Sequence, residues 1–271
     1  MLCVGLDPIA EQLPNGLPPT PRGCLEFCTR IVDSVADLVC AFKPQAAHFA
    51  AIGAESELAA LIGYVHERHP DVPVILDAKR GDIGSTAELY AREAFDRYGA
   101  DAVTVSPFLG PEGLKPFLAR RDRGVLVLCR TSNPDSIFLQ GEGGTGLEPA
   151  FVRIARAANA WNAAGNVMLV TGATYPGDLE RIRAAAPDIP FLVPGVGAQG
   201  GDVDAVVAAG RMRSGFGLAI SASRSVLYAS PNADFADAAR AAARELHGTI
   251  AAARGRARDD VGGAKQVAGT H

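Results

Sequence analysis

The sequence predicts a (β/α)8 (TIM) barrel of the α/β class, and three observations carry that prediction. Short apolar runs alternate with longer amphipathic stretches from one end of the 271-residue chain to the other. Eight of each fall within roughly 250 residues, the size of one such barrel. The short runs are almost continuously apolar, as parallel strands covered on both faces require. A doubly wound open sheet is the competing architecture. Its dinucleotide-binding form is disfavoured, because the first turn, LDPIAEQLPNG, lacks G-x-G-x-x-G.

Taken in order, strands are expected at LCVGLD (2–7), VCAFK (39–43), PVILDAK (73–79), DAVTVS (101–106), GVLVLCR (124–130), VMLVTG (167–172), PFLVPG (190–195) and FGLAIS (216–221). Helices are expected around 24–38, 54–68, 85–98, 111–120, 149–164, 177–186, 202–209 and 232–253. Ser85 and Glu88 have the spacing of a capping box, which predicts Ser85 as the cap of the third helix. Pro111, Pro176 and Pro231 stand near helix starts, where a missing N–H costs little. One barrel domain over 1–253 is expected, followed by a polar, glycine-rich, flexible tail over 254–271. No internal repeat is visible.

Composition excludes several classes. Hydrophobic residues make up 48% and charged residues 21%, so the chain is neither disordered nor of low complexity. A net charge of −4 argues against nucleic acid as a partner. No run approaches the roughly 18 apolar residues of a membrane span. MLCVGLDP has no basic segment before an apolar core, so no secretory signal is expected and the cytoplasm is the predicted location. The five cysteines form no C-x-x-C pair and sit in apolar stretches; Cys24 and Cys28, four apart, read as buried small side chains rather than metal ligands. The five histidines show no ligand spacing, so no metal site is expected; His48 falls near the barrel mouth and the others on solvated helices or the tail. Trp161 reads as a packing residue.

In a barrel of this kind, chemistry belongs at the C-terminal ends of the strands. Only four of the 26 lysine and arginine residues are lysine, and two of the four, Lys43 and Lys79, lie at the ends of neighbouring strands. Strand one ends in Asp7, and strand three in Asp77-Ala78-Lys79 with Asp82 close behind. Alternation along a strand turns Asp77 and Lys79 to the same side. Such a cluster is either a structural ion-pair network at the mouth or a catalytic array in a partly desolvated pocket. A lysine between carboxylates is held protonated, which makes Lys79 an acid rather than a nucleophile. Across the barrel, the glycine-rich turn VPGVGAQGG (193–201) and Arg224 in SASRS form a candidate anion grip. The long segment TSNPDSIFLQGEGGTGLEP (131–149) reads as either an active-site lid or a surface insertion.

These residues resemble the orotidine 5′-phosphate decarboxylase family. The motif is D-x-K-x-x-D-I followed by a threonine, here Asp77, Lys79, Asp82, Ile83 and Thr86, and DAKRGDIGST is similar to the longer bacterial branch. GLDP, AFKP, TSNP, PGVGAQGG and SASR extend the likeness along nearly the whole chain. Members of this branch usually carry a helical segment before strand one, which this sequence lacks. The resemblance implies a cofactor-independent decarboxylation of orotidine 5′-monophosphate to uridine 5′-monophosphate. It implies a charge array of Lys43, Asp77, Lys79 and Asp82, with Lys79 giving its proton to C6 of the pyrimidine. It further implies a homodimer in which Asp82 reaches the neighbouring site. Asp7, Lys43 and Thr86 would then bind the ribose and its surroundings, Ser132 the pyrimidine, and Gln199 and Arg224 the phosphate.

Two rival functions share these features. Magnesium-dependent sugar-phosphate decarboxylases and hexulose-phosphate synthases carry D-x-K-x-x-D on the same barrel, with a metal held by strand-end carboxylates including an early glutamate. Here strand two ends in Lys43, and neither of the first two strands ends in glutamate. A catalytically dead barrel that senses a phosphate ligand is the other; two lysines crowded against two aspartates serve no purpose there.

Overall fold

A computed structural model describes residues 1–142, 147–196 and 201–267, with side chains described as far as residue 257. Its strands are β1 (Leu2–Leu6), β2 (Ala41–Pro44), β3 (Ile75–Arg80), β4 (Ala102–Val105), β5 (Gly124–Arg130), β6 (Val167–Thr171), β7 (Phe191–Pro194) and β8 (Leu218–Ala222). All neighbours pair in parallel in the order β2-β1-β8-β7-β6-β5-β4-β3. Isolated parallel bridges, Phe42 to Val74 and Gln45 to Asp77, bring β2 against β3 and nearly close the ring. The expected barrel is therefore the observed fold.

Eight principal helices follow the strands: α1 (Pro21–Val35), α2 (Glu55–Arg68), α3 (Gly84–Arg92), α4 (Pro111–Leu118), α5 (Ala150–Trp161), α6 (Pro176–Ala185), α7 (Val203–Gly210) and α8 (Phe235–Val267). Their apolar faces and the outer faces of the strands form one continuous core, with Phe27, Phe49, Phe117, Phe151 and Phe191 among its fully buried members. Cys24 and Cys28 are buried on α1 as small apolar side chains, and Trp161 packs against the core. A second, smaller cluster fills the barrel interior: Cys3, Ala41, Ile75, Ala102, Leu126, Val170, Leu192 and Ala219, one from each strand. This ring of mostly small side chains is a plug beneath the C-terminal mouth.

Several local expectations are corrected. The third helix starts at Gly84, after an extended Ile83 that offers no side-chain cap, so Ser85 already lies inside the first turn and the capping box does not form. The first helix starts earlier than expected, at Pro21, where Thr20 Oγ1 accepts the Gly23 N–H at 3.2 Å and proline fills the first position. The last helix starts later than Pro231 and runs on past Arg254 to Val267. Buried Ala253 and Ala257 continue its packed face, and the Ala257 carbonyl accepts from Arg211. His66 and His69 are not merely solvated: their Nε2 atoms lie 2.9 Å from Asp101 Oδ2 and 3.1 Å from Asp33 Oδ1. Among the described residues, no helix is long and apolar enough to cross a membrane.

Candidate active site

The strand period builds the site directly on the plug. Two residues beyond a plug residue, a side chain returns to the barrel axis one layer higher. Two of the eight such positions are Gly5 and Gly172; the other six hold Lys43, Asp77, Thr104, Leu128, Pro194 and Ser221, and all six line a cavity of about 540 Å³ at the C-terminal mouth. Its floor is apolar where Val170 and Leu192 of the plug show through, and its walls set charged and hydroxyl groups among apolar Ile9, Leu128, Pro194 and Val196. Asp7, Lys79, Ser132 and Arg224 line it as well, along with His48, whose Nδ1 lies 2.9 Å from the Pro8 carbonyl oxygen.

Asp77 is the hub of the charged wall. Its Oδ2 accepts from Lys43 Nζ at 3.0 Å and its Oδ1 from Lys79 Nζ at 2.6 Å. Burial pushes this carboxyl up, but the two ammonium groups more than reverse that and hold it at about 2. Burial likewise favours loss of the Lys43 proton, and the Asp7 and Asp77 carboxylates outweigh it, so Lys43 sits above its ordinary value. The lysines differ in access: the Lys43 side chain is 7% exposed, whereas that of Lys79 is 48% exposed and faces the cavity.

The backbone that carries Lys79 is irregular. Ile75 pairs with Ala102 and Leu76 with Val103, but the next pair is Arg80 with Val105, so β3 bulges over Asp77, Ala78 and Lys79. Within the bulge Lys79 has φ +48°, the left-handed region that costs a non-glycine residue about 1 kcal/mol or more. Among the described residues it is the sole non-glycine with positive φ, and it sits at the centre of the charged wall. Two contacts brace it. Thr104 Oγ1 accepts the N–H groups of Ala78 and Lys79 at 3.0 and 2.9 Å and donates to Asp77 Oδ1 at 2.9 Å. Arg80 forks onto Glu93, with Nε at 2.8 Å from Oε2 and Nη2 at 3.1 Å from Oε1, and lies over the Tyr90 ring.

The opposite wall, from β7, β8 and β1, is less completely paired. Arg224 opens a short helix, Arg224–Leu227, directly after β8; it is exposed and forms no ion pair among the described residues. Buried Asp7 Oδ1 and Ser223 Oγ have no hydrogen-bond partner among the described residues. Gly195 at the end of β7 has φ +96°, a turn that its lack of a side chain permits. Gln199, expected in the same anion grip, lies outside the described residues, as do 143–146 of the long segment after β5.

The described part of that segment has structure of its own, with short helical turns at Pro134–Ser136 and Ile137–Gln140. Its base is pinned by Arg130, 3% exposed, whose Nε donates to Asp178 Oδ2 at 2.8 Å and whose Nη1 donates to the Thr131 carbonyl and to Ser136 Oγ. Beyond it, Thr131, Ser132 and Asn133 reach the cavity.

Two expected site residues are not brought to this cavity. Asp82 turns its Oδ1 back to the Ile83 N–H at 2.8 Å, and neither Asp82 nor Thr86 lines the cavity. Lys79 therefore has one carboxylate partner within its own chain, not two. Thr104 and Ser223 were missed by the sequence reading. For Thr104 a signal existed, because a polar residue two positions after Ala102 falls on the inward face beside Asp77. Among the described residues, no group of three or more His, Cys, Asp and Glu side chains could hold a metal ion.

Comparisons with known proteins agree with this geometry. A sequence model described as orotidine 5′-phosphate decarboxylase / HUMPS family matches residues 1–242. Orotidine 5′-phosphate decarboxylase of Azoarcus sp. (strain BH72) is 55% identical over 255 residues, covering 94% of each chain. That of Ralstonia pickettii (strain 12J) is also 55% identical, over 244 residues and 89% of each chain. Among solved structures, Leishmania donovani OMP decarboxylase superposes with a TM-score of 0.82 at 40% identity, covering 93% of each chain.

Proposed function

The chain belongs to the orotidine 5′-phosphate decarboxylase / HUMPS family, and from that premise we propose how its cavity performs decarboxylation. The activity is the one named for its relatives at about 55% identity, loss of carbon dioxide from orotidine 5′-monophosphate in pyrimidine nucleotide synthesis. One observation carries the mechanistic reading: buried Asp77 holds two ammonium groups, at 3.0 and 2.6 Å, in the wall of the cavity.

The reaction breaks the bond between C6 and the carboxylate and leaves its electron pair on C6. Fixed charge stabilises that pair best where it develops, because a preorganised ion need not reorient during the reaction. The Lys79 ammonium is the exposed member of the pair and supplies that charge. Carbon dioxide departs, Lys79 Nζ gives a proton to C6, and solvent restores the proton to the lysine. Lys43 and Asp77 hold the array in register. Asp7 Oδ1, a buried acceptor without a partner among the described residues, takes a ribose hydroxyl. Ser132 faces the pyrimidine, and Arg224 with Gln199 holds the phosphate with charge-assisted hydrogen bonds. Phosphate bound far from C6 helps to organise the loops over the site.

Asp82 and Thr86 act in the neighbouring subunit of a homodimer. Exposed apolar side chains flank them on the same end of the molecule: Ile83, Leu89, Phe108 and Leu109, from 46% to 77% exposed. A second copy seated there covers this apolar surface and brings Asp82 to the partner's cavity. A cytoplasmic location is part of the same reading.

The magnesium-dependent branch of the family is disfavoured by Lys43. An ammonium at 3.0 Å occupies the Asp77 oxygen that a cation would need. The ultraviolet change on incubating the protein with orotidine 5′-monophosphate and excess chelator tests the reading. Steady turnover is the expected result. A flat trace, or turnover that returns only with added magnesium, overturns it.

A further inference from the structure

The bulge at Lys79 requires hydrogen-bond partners that the main chain of β4 does not supply. Asp77, Ala78 and Lys79 all stand opposite the single residue Thr104, so the ladder between the strands is interrupted there. The Thr104 hydroxyl, on a residue 1% exposed, fills the gap by accepting the N–H groups of Ala78 and Lys79. A hydroxyl has two acceptor lone pairs and one proton. With both lone pairs engaged by the backbone, the direction of the proton is set. It points to Asp77 Oδ1 at 2.9 Å, the same oxygen that receives Lys79 Nζ. One buried atom therefore fixes both the main chain that carries Lys79 and the carboxylate that aims its ammonium.

We propose that Thr104 is the positioning residue of the proton-transfer step, a role that rests on the reading of Lys79 as proton donor. It acts through its neighbours, since its hydroxyl has no capacity left for a ligand. Its donated bond also requires Oδ1 to be unprotonated, so Thr104 favours the ionised form of Asp77. A β-branched residue suits this position for a second reason: its restricted χ1 keeps the oxygen aimed across the strands.

Thr104→Val keeps the shape and the strand preference and removes the oxygen. The expected result is a fall in kcat of about 100-fold, the scale of an ångström misplacement at the reacting atoms, with KM changed less than about threefold. The acid limb of the rate profile moves to higher pH, because ionised Asp77 has lost a donor. Thr104→Ser returns kcat to within about fivefold, and Thr104→Cys, of similar size with a weaker acceptor, falls between them. Should the valine protein fail to fold, the serine–cysteine contrast carries the same test. A kcat per inhibitor-titrated site unchanged in the valine or cysteine variant overturns the proposal. A crystal structure of the variant separates this from the underlying reading. Lys79 leaves φ +48° and parts from Asp77 if the positioning role holds; Lys79 unmoved overturns that role. Wild-type protein that does not decarboxylate the nucleotide overturns the function instead.

Discussion

The two walls of the cavity are finished to different degrees. On the β2–β4 side every charged or hydroxyl oxygen of the hub has its partner: Asp77 accepts from Lys43, Lys79 and Thr104, all within 3.0 Å. On the β7–β8 and β1 side, Asp7 Oδ1 and Ser223 Oγ are buried without partners among the described residues and Arg224 stands exposed. The first wall is rigid before any ligand arrives, with its desolvation cost met during folding. The second holds unsatisfied polar groups that a ribose phosphate would satisfy. Chemistry needs charge fixed in advance, whereas binding gains most from groups that find their partner in the ligand.

The largest effect expected from breaking this contrast is at Lys79. Lys79→Ala removes the fixed charge and, on the proposed mechanism, the proton donor, so kcat is expected to fall by at least about 10⁴-fold on the scales of general acid and electrostatic catalysis. Steady-state rates on orotidine 5′-monophosphate check this, and a variant within tenfold of wild type would show the first wall to be structural only. Mixing Lys79→Ala with Asp82→Asn sharpens the point. If Asp82 serves the partner's site, random hybrids regain about one quarter of wild-type activity, since half the dimers then carry one intact site. No recovery would return Asp82 to its own subunit.

A smaller effect is expected on the second wall. Arg224→Ala removes an exposed cation that has no ion pair among the described residues, so stability should be unchanged while KM rises about 10- to 100-fold if it holds the phosphate, the worth of a charge-assisted bond. A thermal melt beside the kinetics separates the two terms.

The smallest signal is in stability against pH. The Asp77 carboxyl lies at about 2 in the fold against 3.8 as its ordinary value. Its contribution is therefore present above pH 3.8 and fades as the pH falls through about 2. Asp77→Asn leaves buried Lys43 with Asp7 as its remaining carboxylate neighbour and lowers stability by about 2 kcal/mol near neutrality, the scale of the Asp77 displacement. Denaturant midpoints taken from pH 6 downward should show the gap to wild type narrowing toward pH 2. A constant gap would mean that packing, not charge, sets the difference.

Much of this was legible in the residues. Unbroken apolar runs such as GVLVLCR became β5 at the expected bounds, because a strand buried on both faces leaves no room for polar alternation. The lysines stood out since so few exist, and Lys43 and Lys79 do share one carboxylate. The left-handed turn at Lys79 was hidden, as nothing local distinguishes a bulged D-A-K from a regular one. Thr104 read as an ordinary β-branched strand former, and only its inward parity set it apart. Ser85 misled because the capping spacing is short-range, while the helix start was decided by the extended Ile83 before it. Asp82 fitted a single-chain array on spacing alone, yet its side chain turns back onto the Ile83 N–H.

The plug of Cys3, Ala41, Ile75, Ala102, Leu126, Val170, Leu192 and Ala219 makes the cavity a blind well. Traffic through such a well is single file. On the proposed reading, carbon dioxide released above the plug leaves through the same mouth that admits the nucleotide, with the phosphate at the rim near Arg224. On that reading the gas slips past the bound product or leaves after it, and loosening the rim would then speed both departures.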